Sequence, residues 1–180
     1  DLSIKTVKGG LNGDLQAQWL PSLKFIFKGD LNNFDPSYFY PDYAGAINAS
    51  LALDLAQPSD KPWQGNVLIK NLGGQLRNRT LAGDADVKFN GLNISGNADL
   101  KIGSSHFLVK GSGHDVIDVL AELKPLNLND VNPQWSGIFN GKIALKGNKL
   151  SPDYDVSIIG NNLRIQDYQI NTMSLRGDTL

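Results

Sequence analysis

The pattern that decides the fold is first seen in residues 11–19, LNGDLQAQW. The odd-numbered positions of this stretch are apolar or glycine, whereas the four residues between them are polar. Successive side chains of a β-strand point to opposite faces of the sheet, so this alternation predicts a strand with one dry face and one wet face.

The same nine-residue pattern recurs along the chain. Further copies are YAGAINASL (43–51), WQGNVLIKN (63–71), LAGDADVKF (81–89), ISGNADLKI (94–102) and WSGIFNGKI (135–143). Counted within each copy, 29 of the 30 odd positions are apolar or glycine, and Asn71 is the exception. Of the 24 positions between them, only 5 are apolar. Partial copies begin at Phe27 and Leu175. The copies are irregularly spaced, which predicts the strands of a meander rather than a solenoid of fixed period.

Turn signals such as Asn90-Gly91 and Ser151-Pro152 separate the copies. Residues 116–123 are compatible with either a short helix or another strand. The alternation is too regular for a sheet that is buried on both faces, so the strands should be mainly antiparallel. The sequence therefore predicts an all-β fold.

Small residues on the dry face predict an open sheet. A sandwich would fill this face with large interdigitating side chains, yet the second odd position is glycine in every copy. We expect an elongated, mainly antiparallel sheet bent into an open trough with a hydrophobic inner face. It would form a single β-rich repeat module over residues 1–180. The chain ends within a partial copy at Leu180, as a fragment of a longer array would.

Composition excludes several functions. There are 17 Lys and Arg against 18 Asp and Glu, a net charge of −1, so the chain lacks the basic field of sequence-independent nucleic-acid binding. With no cysteine, disulfides and cysteine-ligated zinc are excluded, and two histidines are too few for most metal sites. No apolar run reaches the roughly 18 residues of a membrane-spanning helix.

The chemical motifs fit turns and the wet face better than active sites. His114 and Asp118 imitate an acyltransferase His-x-x-x-Asp without its glycine context, and the Arg-Gly-Asp at 176–178 falls inside the repeat. Asp84 and Asp86 share a strand face, as a carboxylate dyad or a cation site would, but that face is the wet one. No nucleophile is paired with a base, so we predict no enzyme, no cofactor and no metal site.

Residues 126–165, LNLNDVNPQWSGIFNGKIALKGNKLSPDYDVSIIGNNLRI, resemble the TamB family of AsmA-like proteins. The matching parts are the Leu-x-Leu-x-Asp lead at 126–130, Pro133, the strand start Ser136-Gly137, the strand at 141–147, and the Pro152 turn with the strand entry at Asn162-Leu163. The resemblance indicates a central or carboxy-terminal segment of such a protein.

The resemblance implies a β-taco with a hydrophobic groove. It implies a periplasmic location, with the full-length protein anchored in the inner membrane and partnered by an outer-membrane barrel protein called TamA. It also implies roles in phospholipid movement between the two membranes and in outer-membrane protein assembly, including that of autotransporters. It brings no catalytic residues.

We therefore expect the dry face to be a groove that shields the acyl chains of phospholipid or a similar ligand. The candidate groove residues are Leu15, Ala17, Trp19, Ile47, Leu51, Val67, Ile69, Val87, Phe89, Leu100, Ile102, Phe139, Ile143 and Leu145. Two alternatives stay open. One is a chaperone or scaffold that templates strands of nascent outer-membrane proteins at an unpaired sheet edge. The other is a structural β-solenoid segment.

Overall fold

The computed structural model describes residues 1–6 and 8–179, and most of these lie in β-strands. Leu180, where the last partial copy ends, lies outside the described residues. The strands are β1 (Leu2–Lys5), β2 (Gly10–Gln18), β3 (Leu23–Phe34), β4 (Gly45–Gln57), β5 (Gln64–Leu76), β6 (Arg79–Asn90), β7 (Asn93–Ile102), β8 (Ser105–Gly113), β9 (Val116–Asn127), β10 (Ser136–Asn148), β11 (Ser151–Ile165) and β12 (Tyr168–Asp178). Two 3-10 helices, Pro36–Tyr38 and Pro41–Tyr43, and one short α-helix, α1 (Leu128–Val131), complete the structure.

The strands pair in chain order, from β1 to β12, in one twelve-stranded sheet. The neighbouring strands pair antiparallel, as in β2 with β3 and β10 with β11. Within the described residues β1 and β12 are the two edges, so the sheet is not closed on itself. The prediction of an all-β, antiparallel, open sheet is confirmed. Residues 116–123, for which the sequence left helix and strand open, belong to β9.

The chain forms two compact units, residues 1–96 (unit 1) and 97–180 (unit 2). In unit 1, the connection between β3 and β4 is organised by Asp35, a buried residue. Its Oδ1 accepts hydrogen bonds from the backbone N–H groups of Ser37 at 3.0 Å and Gly45 at 3.1 Å. The carboxylate thereby caps the first 3-10 helix and fixes the start of β4.

In unit 2, the Leu-x-Leu-x-Asp lead has a comparable structural role. Leu128 and Asp130 of α1 are both buried. Asp130 Oδ2 accepts from the backbone N–H of Ser104 at 3.0 Å and from the hydroxyl of Ser105 at 2.8 Å. The helix between β9 and β10 is thus tied to the turn between β7 and β8.

Bulges with an extra residue recur in the sheet. β3, β5 and β11 each gain one residue relative to a partner strand, at Asn33, Asn71 and Asn162, which have φ values of 47°, 54° and 52°. Asparagine tolerates this left-handed conformation better than most residues. The freed N–H of Asn33 donates to Asn48 Oδ1 at 2.9 Å, and that of Asn71 to Asp84 Oδ1 at 2.8 Å. Bulged strands bend and twist more strongly than regular ones.

Very little of the described chain is fully buried. The buried hydrophobic residues are Ala49, Ala85, Leu128 and Leu163, and no described large side chain is less than 2% exposed. A sheet covered by a second packed layer would bury many large side chains. The apolar residues of this sheet are instead covered mainly by their own neighbours.

Candidate functional site

The register of unit 1 aligns apolar residues across five strands. Directly paired residues lie on the same face of a sheet. The aligned rows are Leu15, Phe27, Leu53, Val67 and Val87; Ala17, Phe25, Leu55, Gly65 and Phe89; and Gly13, Gly29, Leu51, Ile69 and Ala85. Ile47 lies on the same face of β4 as Leu51, four residues away. The predicted positions of unit 1 that lie within strands therefore share one apolar face.

Trp19 lies outside the strand in which the sequence pattern placed it. β2 ends at Gln18, and Trp19 follows in the turn. Its ring packs edge-to-face on Phe25, with 5.3 Å between the ring centroids, and the residue is 67% exposed. Trp19 therefore borders the apolar face at one end of unit 1.

Unit 2 repeats the arrangement. Its aligned rows are Val109, Ala121, Ile143, Val156 and Gly177; Gly111, Val119, Leu145 and Tyr154; and Leu126, Phe139, Gly160 and Met173. Leu100 and Ile102 are two residues apart on β7 and so share a face of that strand.

The candidate residues remain accessible to different degrees. Leu15, Ala17 and Trp19 are exposed, and the other candidates are half-buried. The side chains at these positions are therefore at least partly accessible to solvent.

The glycines of this face leave less room than the sequence indicated. A Cβ at Gly13 or at Gly29 would come within 2.9 Å or 2.7 Å of the Phe27 ring, and one at Gly160 within 2.7 Å of the Phe139 ring. The Phe27 ring thus lies over Gly29 of its own strand and over Gly13 of β2, and the Phe139 ring lies over Gly160 of β11. The space that these small residues would leave is therefore filled by an aromatic ring.

β3 supplies residues of this face that the repeat analysis missed. Phe25, in this strand, belongs to the row of Ala17 and Phe89, but β3 carries only a partial copy of the pattern, which begins at Phe27. The signal that would have identified Phe25 is the same alternation, since it lies two residues before Phe27.

The opposite face carries the charges. Lys142 Nζ lies 2.8 Å from Asp155 Oδ2, and His106 Nε2 lies 2.8 Å from Asp99 Oδ1. In unit 1, an open depression of about 510 Å³ on this side includes two acidic and two basic residues, Asp14, Asp30, Lys28 and Lys70. Such balanced charge is typical of a hydrated sheet face.

Two residues of the motifs considered as possible sites, Asp84 and His114, have partners in the fold. Asp84 accepts the hydrogen bond of the Asn71 bulge, and His114 Nδ1 lies 2.9 Å from the exposed Asp115. Across residues 1–6 and 8–179, no group of three or more His, Cys, Asp and Glu side chains is arranged to hold a metal ion. None of the helices in the same residues has the length and apolar character needed to cross a membrane.

Together these features define a class: an open antiparallel β-sheet module with an accessible apolar face. The family model for the TamB N-terminal domain matches residues 1–180, so the chain belongs to the TamB family. The predicted family is confirmed, but its predicted position was wrong, because the match is to the N-terminal domain and not to a central or carboxy-terminal segment. The strand-turn pattern at 126–165 identifies the family but does not fix a position within it.

A curated relative agrees with this assignment. The chain is 23% identical over 178 residues to the translocation and assembly module subunit TamB of Haemophilus influenzae. The alignment covers 98% of this chain and 14% of the relative, so the chain spans about a seventh of that protein's length. No solved structure matches the chain.

Proposed function

We propose that the apolar face shields the acyl chains of phospholipid as it moves between the inner and outer membranes. The observation that carries this proposal is the row-by-row alignment of apolar residues across β2 to β6, with large side chains such as Leu15 left partly exposed. Each methylene removed from water contributes about 0.8 kcal/mol, so full enclosure of a 16-carbon chain would contribute on the order of 10 kcal/mol. An open sheet would supply part of that.

Membership of the TamB family indicates the molecular system in which the proposed function would operate. The Haemophilus relative is named as a subunit of a translocation and assembly module. We infer that this chain acts in such a module, as a transport or assembly component and not as an enzyme. In this proposal residues 1–180 are one module of a longer protein, periplasmic and anchored in the inner membrane. TamA is its partner, and outer-membrane proteins such as autotransporters are assembled with its help.

The alternative function is strand templating of nascent outer-membrane proteins by β-augmentation, in which an incoming strand pairs with the edge of a sheet.

Photo-crosslinking tests the proposal. A photoreactive amino acid at Val67 would lie on the apolar face, and one at Asn66, the adjacent residue, would lie on the other face. We expect crosslinks to co-purified or added phospholipid from position 67 and not from position 66. Equal labelling at both positions, or labelling by lipid at neither, would contradict the acyl-chain function. Crosslinks to an unfolded outer-membrane protein in place of lipid would favour the alternative.

A further inference from the structure

Three hairpin tips at one end of unit 1 carry large exposed apolar residues. Trp19 and Leu20 lie between β2 and β3, Trp63 lies between β4 and β5, and Leu92 lies between β6 and β7. They are 67%, 83%, 37% and 81% exposed, respectively. In an antiparallel meander these alternate turns lie at the same end of the sheet. We call these four residues the tryptophan rim.

Contacts between the tips place the three turns side by side. The Ser59 hydroxyl donates to the Pro21 carbonyl at 3.2 Å, which links the first two tips. The backbone N–H of Gly91 donates to the Trp63 carbonyl at 2.7 Å, and Gly91 lies against the Pro62 ring, which links the second and third. The three turns that carry the four residues are therefore adjacent.

We propose that the tryptophan rim inserts into the interfacial region of a phospholipid bilayer. Tryptophan is suited to the interfacial region because its ring is largely apolar while its indole N–H can donate a hydrogen bond to a lipid headgroup or to water. The residues stand on projecting turns, so they can enter a fluid layer that adapts to their shape. The proposal goes beyond shielding of acyl chains and does not depend on it.

The backbone and charges of the tips fit this environment. Pro21, Pro58 and Pro62 lie in these turns and have no N–H group to be left unpaired in an apolar layer. Lys24 and Lys61 lie beside these turns, with Asp60 in the second turn and Asp54 lining the same depression as Lys24. The two lysines can pair with lipid phosphates.

The rim also adjoins the apolar face. Trp19 contacts Phe25, which belongs to the row of Ala17 and Phe89. A bilayer that receives Trp19 would therefore lie next to one end of that face. This is the position from which an acyl chain would pass between membrane and sheet.

Intrinsic fluorescence can test the insertion directly. The chain has three tryptophans, two in the rim and Trp135 in unit 2. Variants that keep a single tryptophan, the others changed to phenylalanine, would be mixed with phosphatidylcholine vesicles with and without phosphatidylglycerol. We expect Trp19 and Trp63, but not Trp135, to shift to shorter wavelength and to be quenched by lipids brominated near the headgroup.

Substitutions that retain the native tryptophans provide the second measurement. Leu20→Ser combined with Leu92→Ser should lower vesicle co-sedimentation at least about tenfold, because two exposed leucines no longer enter the bilayer. Tyr38→Ser is the matched control, since Tyr38 is 67% exposed on the connection between β3 and β4, at the opposite end of unit 1. It should change co-sedimentation less than about twofold.

Several results would overturn the membrane proposal: no vesicle binding, binding unchanged in the double variant, or an equal loss in Tyr38→Ser. If the double variant abolishes self-association in sedimentation velocity and the wild type ignores vesicles, the rim is instead a contact between copies of the chain. If the double variant loses vesicle binding but is still crosslinked to lipid at position 67, the membrane site is separate from the proposed groove.

Discussion

Lys142 forms an ion pair with Asp155 across β10 and β11, while the next residue, Ile143, lies opposite Val156 on the other face. The hydrogen bond from Lys142 to Asp155, together with the attraction between their charges, raises the pKa of Lys142. One step along the strand thus separates a charged contact from an apolar one. Adjacent residues of this sheet can therefore serve as matched tests of its two faces.

A charge on the apolar face should abolish lipid binding while sparing the fold. Ile143→Asp, and Leu100→Arg on β7, would place a charge where an acyl chain would lie. Because these residues are half-buried, the new charge can stay partly hydrated instead of paying the several kcal/mol of full burial. We expect native mass spectrometry to show loss of bound lipid and thermal unfolding to shift only modestly.

The matched control is Lys142→Gln. Charge reversal to glutamate is less suitable, because the new carboxylate would face Asp155 and Glu122. Loss of an exposed ion pair has little effect on stability because solvent screens it, and lipid occupancy should not change. If Ile143→Asp fails to fold, this face is a closed core. If Ile143→Asp folds and still binds lipid normally, the proposed groove is contradicted.

Asn161 and Asn162 provide a test of the bulges. Both are exposed residues of β11, but only Asn162 has a positive φ, 52°. A β-branched residue is strained in that conformation, so Asn162→Val should lower the free energy of unfolding by about 1 to 3 kcal/mol. Asn161→Val, in regular strand geometry, should have little effect. Urea unfolding of the two variants measures the difference, and equal stabilities would contradict the bulge at Asn162.

The alternation of the sequence was sufficient to predict strands and faces, because a period of two is a direct consequence of strand geometry. Asn71, the one polar residue at an odd repeat position, also marked a bulge, although the pattern alone did not say so. The register between strands could not be predicted from the sequence. The contact of the Phe27 ring with Gly13 could therefore not be predicted either, since it depends on which residues of β2 and β3 are paired. Trp19 was misplaced because the pattern continues one residue past the end of β2.

Far-ultraviolet circular dichroism should show a β-sheet spectrum with less than about 10% helix. Among the described residues the α-helix is Leu128–Val131, and the two 3-10 helices have three residues each. The spectrum should keep this form in Ile143→Asp, which makes it the check on folding for the lipid experiments. A predominantly helical spectrum would contradict the strand interpretation of the repeats.

The accessible apolar face should bind an environment-sensitive apolar dye while the protein remains cooperatively folded. Partly exposed residues such as Leu15 and Val67 provide the surface, and fatty acid should compete with the dye for it. Ile143→Asp should reduce the dye signal, and Lys142→Gln should leave it unchanged. Cooperative unfolding with no dye bound in the native state would indicate that the face is covered.

Asp35 should make stability depend on pH in the acidic range. Hydrogen bonds from the Ser37 hydroxyl, the Ser37 backbone N–H and the Gly45 backbone N–H hold the pKa of the Asp35 carboxyl below its ordinary value. A carboxyl with a lowered pKa stabilises the fold fully above the pKa of the unfolded chain, about 3.9, and this contribution is lost as pH falls through the lower folded-state pKa. Asp35→Asn should therefore be less stable than wild type at pH 7, and the difference should shrink below about pH 4.

The control is Asp42→Asn, which removes a carboxylate from the same connection but none of these hydrogen bonds. Urea titrations between pH 2 and pH 7 measure the effect, and a difference between Asp35→Asn and wild type that stays constant over this range would contradict the capping role of Asp35.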